Sequence, residues 1–237
     1  MRGAVIACGR RIPPLPGVTD DHVAHVGHRP GKDEVDPVLA RAAESAGDAA
    51  GDPGEGATGA DVVVAGTDGD LAAVVLRLLR TDRLATLSVG YVPVERNSAV
   101  AAVWRLPTDP ARAFDVATRA EIDRVPLIRD DSGGVLMGGG VLTKVRGVGY
   151  CDDTTALRGL ARRIHAEPDN SGGPGLVLQV VGGLLGRRRK TYTGRAFQLG
   201  CDPTVPVVDG VAHPREVTRL SWYRHTEDLR LARGVVG

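Results

Sequence analysis

The sequence predicts two domains: an α/β layer on parallel strands over residues 1–122, then a β-rich antiparallel domain over 123–237. Three observations carry this. Up to about residue 120, short β-branched runs alternate with helical patterns, the arrangement of a parallel α/β layer. The run Val62 to Ala65 passes through a Gly-Asp turn directly into the helical pattern Leu71 to Arg80. From Val125 onward the pattern changes to short apolar runs separated by Gly-rich turns.

Residues 4–8 form a first strand, followed by a Pro/Gly-rich loop around 11–17. Asp36 is placed as an N-cap with Pro37 at the first helical position and good helix formers as far as Ser45. The segment 47–59 is rich in Gly, Asp and Ala and is expected as a surface loop. The strand 61–65, helix 70–80 and strand 85–92 follow, then helices at 98–104 and 109–119, the second opened by Asp109-Pro110. In the second half, strands are expected at 133–145, 175–181, 190–199, 204–208 and 215–223, with one helix interrupting them from Asp153 to His165. Trp222 and Tyr223, at the end of the last β pattern, are expected to fill core space.

Composition narrows the functional classes. At 237 residues, with 42% apolar and 25% charged residues, the chain can bury a substantial core. A formal charge of +1 gives no global reason to expect nucleic acid as a partner. Cys8, Cys151 and Cys201 are odd in number and far apart, which supports neither a disulfide framework nor a zinc knuckle. The apolar patch Ala4 to Cys8 is too short for a signal sequence or a membrane span, so a cytoplasmic location is expected.

The turn Gly66-Thr67-Asp68-Gly69-Asp70 is the main candidate site. A strand that ends there and restarts as a helix aims backbone N–H groups and a carboxylate into one crevice, which suits phosphates and their metal ions. The same residues also suit any strand-to-helix turn, with Asp70 capping the helix. Asp68, Asp70 and Asp209 offer oxygen ligands for a hard ion such as Mg²⁺, or three solvated turn aspartates. His22, His25 and His28, preceded by Asp20 and Asp21, have a spacing that could gather imidazoles, but Val-Gly and Arg-Pro interrupt them and a solvated loop is expected. His165, His213 and His225 have no Ser or Cys partner in a recognisable motif, so nucleophilic catalysis finds no support. Arg187, Arg188, Arg189 and Lys190 are expected at a hairpin tip beside Leu184 and Leu185, able to touch an anionic membrane or simply to be solvated.

Beyond the turn, Leu87 to Pro107 and then Thr108 to Phe114 resemble the catalytic domain of the diacylglycerol kinase family of lipid kinases. That family carries Gly-Gly-Asp-Gly-Thr after a hydrophobic strand, then Pro-x-Gly-Thr-x-Asn-Asp-x-Ala, a helix, a Leu-Pro and an Asp-Pro-opened helix. The spacing from Pro93 to Pro107 matches without a gap, and Val207-Val208-Asp209-Gly210 resembles a late Asp-Gly-Glu turn. The resemblance covers residues 61–128 well and 190–237 loosely. It implies an NAD-kinase-like α/β N-terminal domain followed by a shortened antiparallel β-sandwich domain, with ATP and Mg²⁺ as cofactors and a lipid alcohol as phosphate acceptor.

Carried over residue by residue, Asp68 matches the acid placed beside the nucleotide phosphates, and Gly66 and Gly69 match its glycines. Thr67 replaces a glycine, and Asp70 replaces the threonine. Glu95, Arg96, Ser98 and Ala99 stand where the family has Gly, Thr, Asn and Asp, and Val211 replaces the last glutamate. The resemblance thus implies catalytic roles for Asp68 and Asp209. It implies nucleotide contacts at Gly66, Thr67, Gly69, Asp70, Glu95, Arg96 and Ser98, and metal contacts at Asp68, Asp70 and Asp209. Carboxylates at Asp70 and Glu95 add repulsion beside a triphosphate, which Arg96 could offset with a bidentate guanidinium. The expectation is a diacylglycerol-kinase-like protein, ancestrally an ATP-dependent lipid kinase, with a degraded nucleotide site. The alternative is a non-catalytic nucleotide-, lipid- or protein-binding module on the same fold. An NAD kinase is disfavoured because neither Asn97 nor Asn170 precedes a Glu.

Overall fold

The computed structural model describes residues 3–10, 12, 15–19, 22–48, 58–183 and 188–234, which divide into two compact units. The first comprises residues up to Val125 together with the chain from Glu227 onward; the second is Pro126–Thr226. The C-terminal strand, expected with the second domain, returns to the first.

The first unit is built on a six-stranded sheet. Its strands are β1 (Ala4–Cys8), β2 (Val23–Val26), β3 (Val62–Gly66), β4 (Val89–Pro93), β5 (Ile122–Val125) and β16 (Leu229–Ala232), in the order β2-β1-β3-β4-β16-β5. All neighbours are parallel except β16 and β5. Every residue of β3 and β4 is buried, as expected for central parallel strands covered on both faces. Helices α1 (Lys32–Asp48) and α2 (Asp68–Arg80) pack together against β1 and β3. Helix α4 (Pro110–Arg119) lies over β4, and its Phe114 and Ala117 share a core with Val5, Val63, Val92 and Ala232. Gly90 permits that approach: a Cβ there would stand 2.6 Å from the Cβ of Ala117 and 2.9 Å from its backbone.

The helix expected to open at Asp36 begins one turn earlier, at Lys32. Glu34 is responsible, because its carboxylate accepts the N–H groups of Gly27 and Gly31 and so caps the start. Pro37 therefore lies inside α1, where it and the Asp33 carbonyl it leaves without a donor are both in exposed positions. Helix α4 starts as expected, with Asp109 capping the Arg112 N–H and Pro at its first position.

The second unit is one large antiparallel sheet. It contains β6 (Ile128–Asp130), β7 (Val135–Leu136), β8 (Gly140–Cys151), β9 (Thr154–Pro168), β10 (Leu176–Gly182), β11 (Arg188–Gly194), β12 (Ala196–Thr204) and β15 (Val217–Arg224). They run in the order β11-β10-β9-β8-β12-β15-β6-β7, with the short pair β13 (Val207–Val208) and β14 (Val211–Ala212) attached through β8. The sheet curls so that β11 packs against β8 and β10 against β12 around one core. Phe197 and Trp222 meet in that core with ring centroids 6.1 Å apart.

The helix expected from Asp153 to His165 is instead β9, paired on both sides with β8 and β10. Leu157, Leu160, Ala161 and Ile164 mimic a helical stripe, yet Leu160 is 54% exposed while Leu157, Ala161 and Ile164 are buried. Two ladders of backbone hydrogen bonds outweigh the local helical pattern. The strand expected at 190–199 divides at Arg195, where the N–H groups of Arg195 and Ala196 turn to the Asp152 carboxylate. Of the four basic residues expected at a hairpin tip, Arg187, like Leu184 and Leu185, lies outside the described residues. Arg188, Arg189 and Lys190 begin edge strand β11 and so alternate between its faces.

Candidate functional site in the first unit

Strand β1 pairs with β2 on one side and β3 on the other, so the strand order reverses between β1 and β3. The crevice beyond the carboxyl ends of such strands is where open α/β sheets bind ligands. Here it is formed by Cys8-Gly9, the His28-Arg29 segment after β2, Gly66-Thr67 after β3, and the β4–α3 turn, α3 being Ala99–Trp104.

Helix α2 begins at Asp68, two residues before its expected start, with Thr67 as N-cap and Asp70 completing a capping box. Asp70 is fully buried. Its Oδ2 accepts from the Thr67 N–H at 2.9 Å, the Thr67 hydroxyl at 2.8 Å and His28 Nδ1 at 3.2 Å, and its Oδ1 accepts the Arg29 N–H at 2.6 Å. Burial opposes its ionisation, but the Arg29, Thr67 and His28 donors outweigh that and hold its pKa below the usual carboxylate value. The His28 ring lies over Gly9, whose φ of +83° requires glycine and where a Cβ would meet the ring at 2.4 Å. Cys8 lies beneath; burial, then the charges of Asp70 and Glu34, push its thiol up to about 12.

Asp68 faces the other way. Its Oδ1 accepts the Tyr91 hydroxyl at 2.9 Å and the Ser98 hydroxyl at 2.5 Å; its Oδ2 accepts the N–H groups of Ala99 at 2.7 Å and Val100 at 3.4 Å. The carboxylate therefore ties the start of α2 to the start of α3, whose N-cap is Ser98. Burial, followed by the Asp68 charge, raises the pKa of Tyr91. Glu95 and Arg96 are exposed in the turn between β4 and α3. Gly66 approaches the site so closely that a Cβ on it would lie 2.9 Å from Asp70 Oδ2 and 3.0 Å from the Cβ of Cys8.

The first unit thus brings together Gly66, Thr67, Asp68, Gly69, Asp70 and Ser98. Asp209 belongs to the second unit, where its carboxylate accepts the N–H groups of Met137, Gly138 and Gly139 at 2.7–2.9 Å. Among the described residues, no group of three or more His, Cys, Asp or Glu side chains is placed to hold a metal ion. Within the first unit this holds of Asp68 and Asp70 and of His22, His25 and His28. His28 takes Asp70 as its partner instead. Sequence reasoning missed His28, Arg29 and Tyr91 as members of this site; a tyrosine in an otherwise apolar buried strand was the one available signal.

The Asp68 and Asp70 carboxylates, as placed, do not fit a Mg²⁺ ion. A carboxylate offers about four lone-pair positions, and both Asp68 and Asp70 have four donors around them. A hard cation needs such oxygens free. The Thr67 and Arg29 amides, which could cradle a phosphate, serve the Asp70 carboxylate.

No family model matches the sequence, and no curated protein matches it. Solved structures do. A diacylglycerol kinase from Bacillus anthracis str. Sterne matches with a TM-score of 0.61 at 9% identity, covering 98% of this chain and 97% of that one. A proposed diacylglycerol kinase from the same organism matches with a TM-score of 0.65 at 8% identity over the same shares. An NAD kinase from Archaeoglobus fulgidus in complex with ATP reaches 0.47 at 9% identity, covering 73% of this chain and 77% of that one. At these identities the likeness to the two Bacillus structures is one of fold: this chain has the fold of the diacylglycerol kinases, an α/β domain joined to a large antiparallel β domain.

Proposed function

We propose that this chain is a diacylglycerol-kinase-like protein that has left phosphoryl transfer and acts as a binding module on the lipid-kinase fold. One observation carries the reading: the buried Asp70 carboxylate takes the Thr67 and Arg29 N–H groups at the strand-order reversal, where the family would place phosphate. An anion supplied by the chain itself thus satisfies the anion site. A nucleotide phosphate brought there would face a fixed negative charge and no free donor from those two amides. Asp68 is likewise a structural clamp on α3, in place of a metal ligand or base, and Asp209 a clamp on the turn before β8.

The experiment is a melting-temperature titration with ATP and Mg²⁺, paired with transfer of labelled phosphate to diacylglycerol. Neither stabilisation nor transfer is expected. Stabilisation corresponding to a Kd below about 1 mM, or roughly 4 kcal/mol of binding, overturns the reading. So does transfer that Asp68→Asn abolishes, which would establish the active lipid kinase.

A further inference from the structure

The outer face of the β8–β9 hairpin carries unopposed positive charge interleaved with exposed apolar side chains, and the strand register shows how. Val148 pairs with Arg158 and Arg146 with Leu160, a checkerboard of cation and hydrocarbon on adjacent rungs. Lys144 and Arg162 follow, and then the row Thr143, Arg163, Val181 and Arg189 runs across to the sheet edge. In the other direction the Val148 rung continues through Gly200 to Arg219 on β15. All of these arginines and Lys144 are exposed. Among the described residues none of them makes an ion pair with a carboxylate.

The acidic groups stand at the margins. Glu167 lies two rungs beyond Arg163 and approaches His165 at 3.7 Å. Asp153 is in the turn between β8 and β9, and Asp202 is one residue beyond the last β8–β12 pair. With a formal charge of only +1 on the whole chain, so many cations on one sheet face is an asymmetry of the molecule.

The apolar component selects the partner. Leu160 is 54% exposed and Val148 36%, each paired with an arginine, and Tyr150, 41% exposed, stands two residues beyond Val148 between Thr155 and Gln198. Aliphatic side chains gain nothing from a phosphodiester backbone or an acidic peptide surface. At a lipid interface they enter the acyl boundary while the arginines meet headgroup phosphates.

We infer that this face of the second unit docks on an anionic lipid bilayer. Lys144, Arg146, Arg158, Arg162 and Arg163 supply the electrostatic attraction, and Leu160, Val148 and Tyr150 the shallow insertion. This goes beyond the proposed loss of phosphoryl transfer and does not depend on it.

The test is co-sedimentation of the full chain with phosphatidylcholine vesicles with and without phosphatidylglycerol. A Leu160→Trp variant adds an indole to report on insertion; the native Trp104 and Trp222 are already buried. Binding is expected only to the anionic vesicles, and salt should weaken it. Arg158→Gln combined with Arg162→Gln, both exposed and so neutral to folding, should weaken it roughly 30-fold. The introduced indole should shift its emission to the blue on anionic vesicles. Equal binding to neutral vesicles, no binding, an unshifted indole, or an unaffected double variant overturns the inference. So does a single-stranded RNA that binds more tightly than the vesicles at the same salt. None of these outcomes bears on ATP binding, so the two proposals fail separately.

Discussion

His28 and Asp70 lie 3.2 Å apart with opposite exposure: the imidazole side chain is 64% exposed and the carboxylate is fully buried. The pair is therefore asymmetric in what it contributes. Asp70→Ala leaves the Arg29 and Thr67 N–H groups without their acceptor and should cost about 2–4 kcal/mol. His28→Ala removes one partly solvated contact and should cost below about 1 kcal/mol. Urea unfolding of the two variants decides this; equal losses would mean that the ring, and not the amides, holds the segment after β2.

Acid sensitivity follows from the same carboxylate. Its pKa is lowered in the folded chain, so between that value and the ordinary carboxylate value of about 4 the unfolded chain binds more protons. The stabilisation is complete above about pH 4 and disappears as pH falls through the folded-state pKa. Wild-type melting temperature should fall on that acid limb, and Asp70→Asn should flatten the slope there while lowering stability at neutral pH. A limb unchanged in Asp70→Asn would assign it to other carboxylates.

Thiol reactivity offers a probe of the crevice. Cys8 is 1% exposed, and its thiol is pushed up to about 12 by burial and by Asp70 and Glu34. Cys201 is partly exposed. An alkylating reagent at neutral pH should modify Cys201 first and leave Cys8 intact until the first unit opens. Asp70→Asn, by loosening the segment packed over Cys8, should speed its modification; an unchanged rate would mean that the segment stays closed without the charge.

The strand–turn–helix around Gly66 was legible because its signals are local: a β-branched run, a Gly-Asp turn and an apolar stripe agree on one structure, although the helix opens at Asp68 under a Thr67 cap and not at Asp70. The same holds for Asp109-Pro110. The β9 strand was not legible, because Leu157, Leu160, Ala161 and Ile164 have helical spacing and only pairing with distant β8 and β10 exposes Leu160. The core of the crevice was legible in part. Asp68 and Asp70 could be singled out, but, Thr67 apart, the partners that fix their roles lie 23 to 42 residues away. His28, read beside His22 and His25, was expected in a solvated loop, whereas His25 lies in β2 and His28 takes a carboxylate on another element as its partner. The return of β16 to the first sheet had no local signal at all.

Asp209 clamps three consecutive N–H groups, those of Met137, Gly138 and Gly139, immediately before β8. It is 4% exposed. Asp209→Ala would strand those donors and should cost about 2–4 kcal/mol. Hydrogen exchange should locate the damage in residues 137–139 and in β13. Full retention of stability would mean that water can replace the carboxylate on those amides, and the clamp reading of Asp209 would fall.

Tyr91 and Ser98 both donate to a single oxygen, Oδ1 of Asp68, so their contributions should not add. Either hydroxyl alone still partly solvates a carboxylate that is 8% exposed. Tyr91→Phe and Ser98→Ala should each cost about 1–2 kcal/mol, the second including loss of the α3 cap. Removing both leaves Oδ1 charged without either hydroxyl, with Oδ2 still on the Ala99 and Val100 amides. The double variant should therefore lose about 0.5–1 kcal/mol more than the sum of the single losses. Urea unfolding of the four proteins in the cycle measures this term directly. Additivity within about 0.3 kcal/mol would mean that water replaces the hydroxyls. An Asp68 open to water in that way could take a metal ion, and the lipid-kinase reading would regain its central residue.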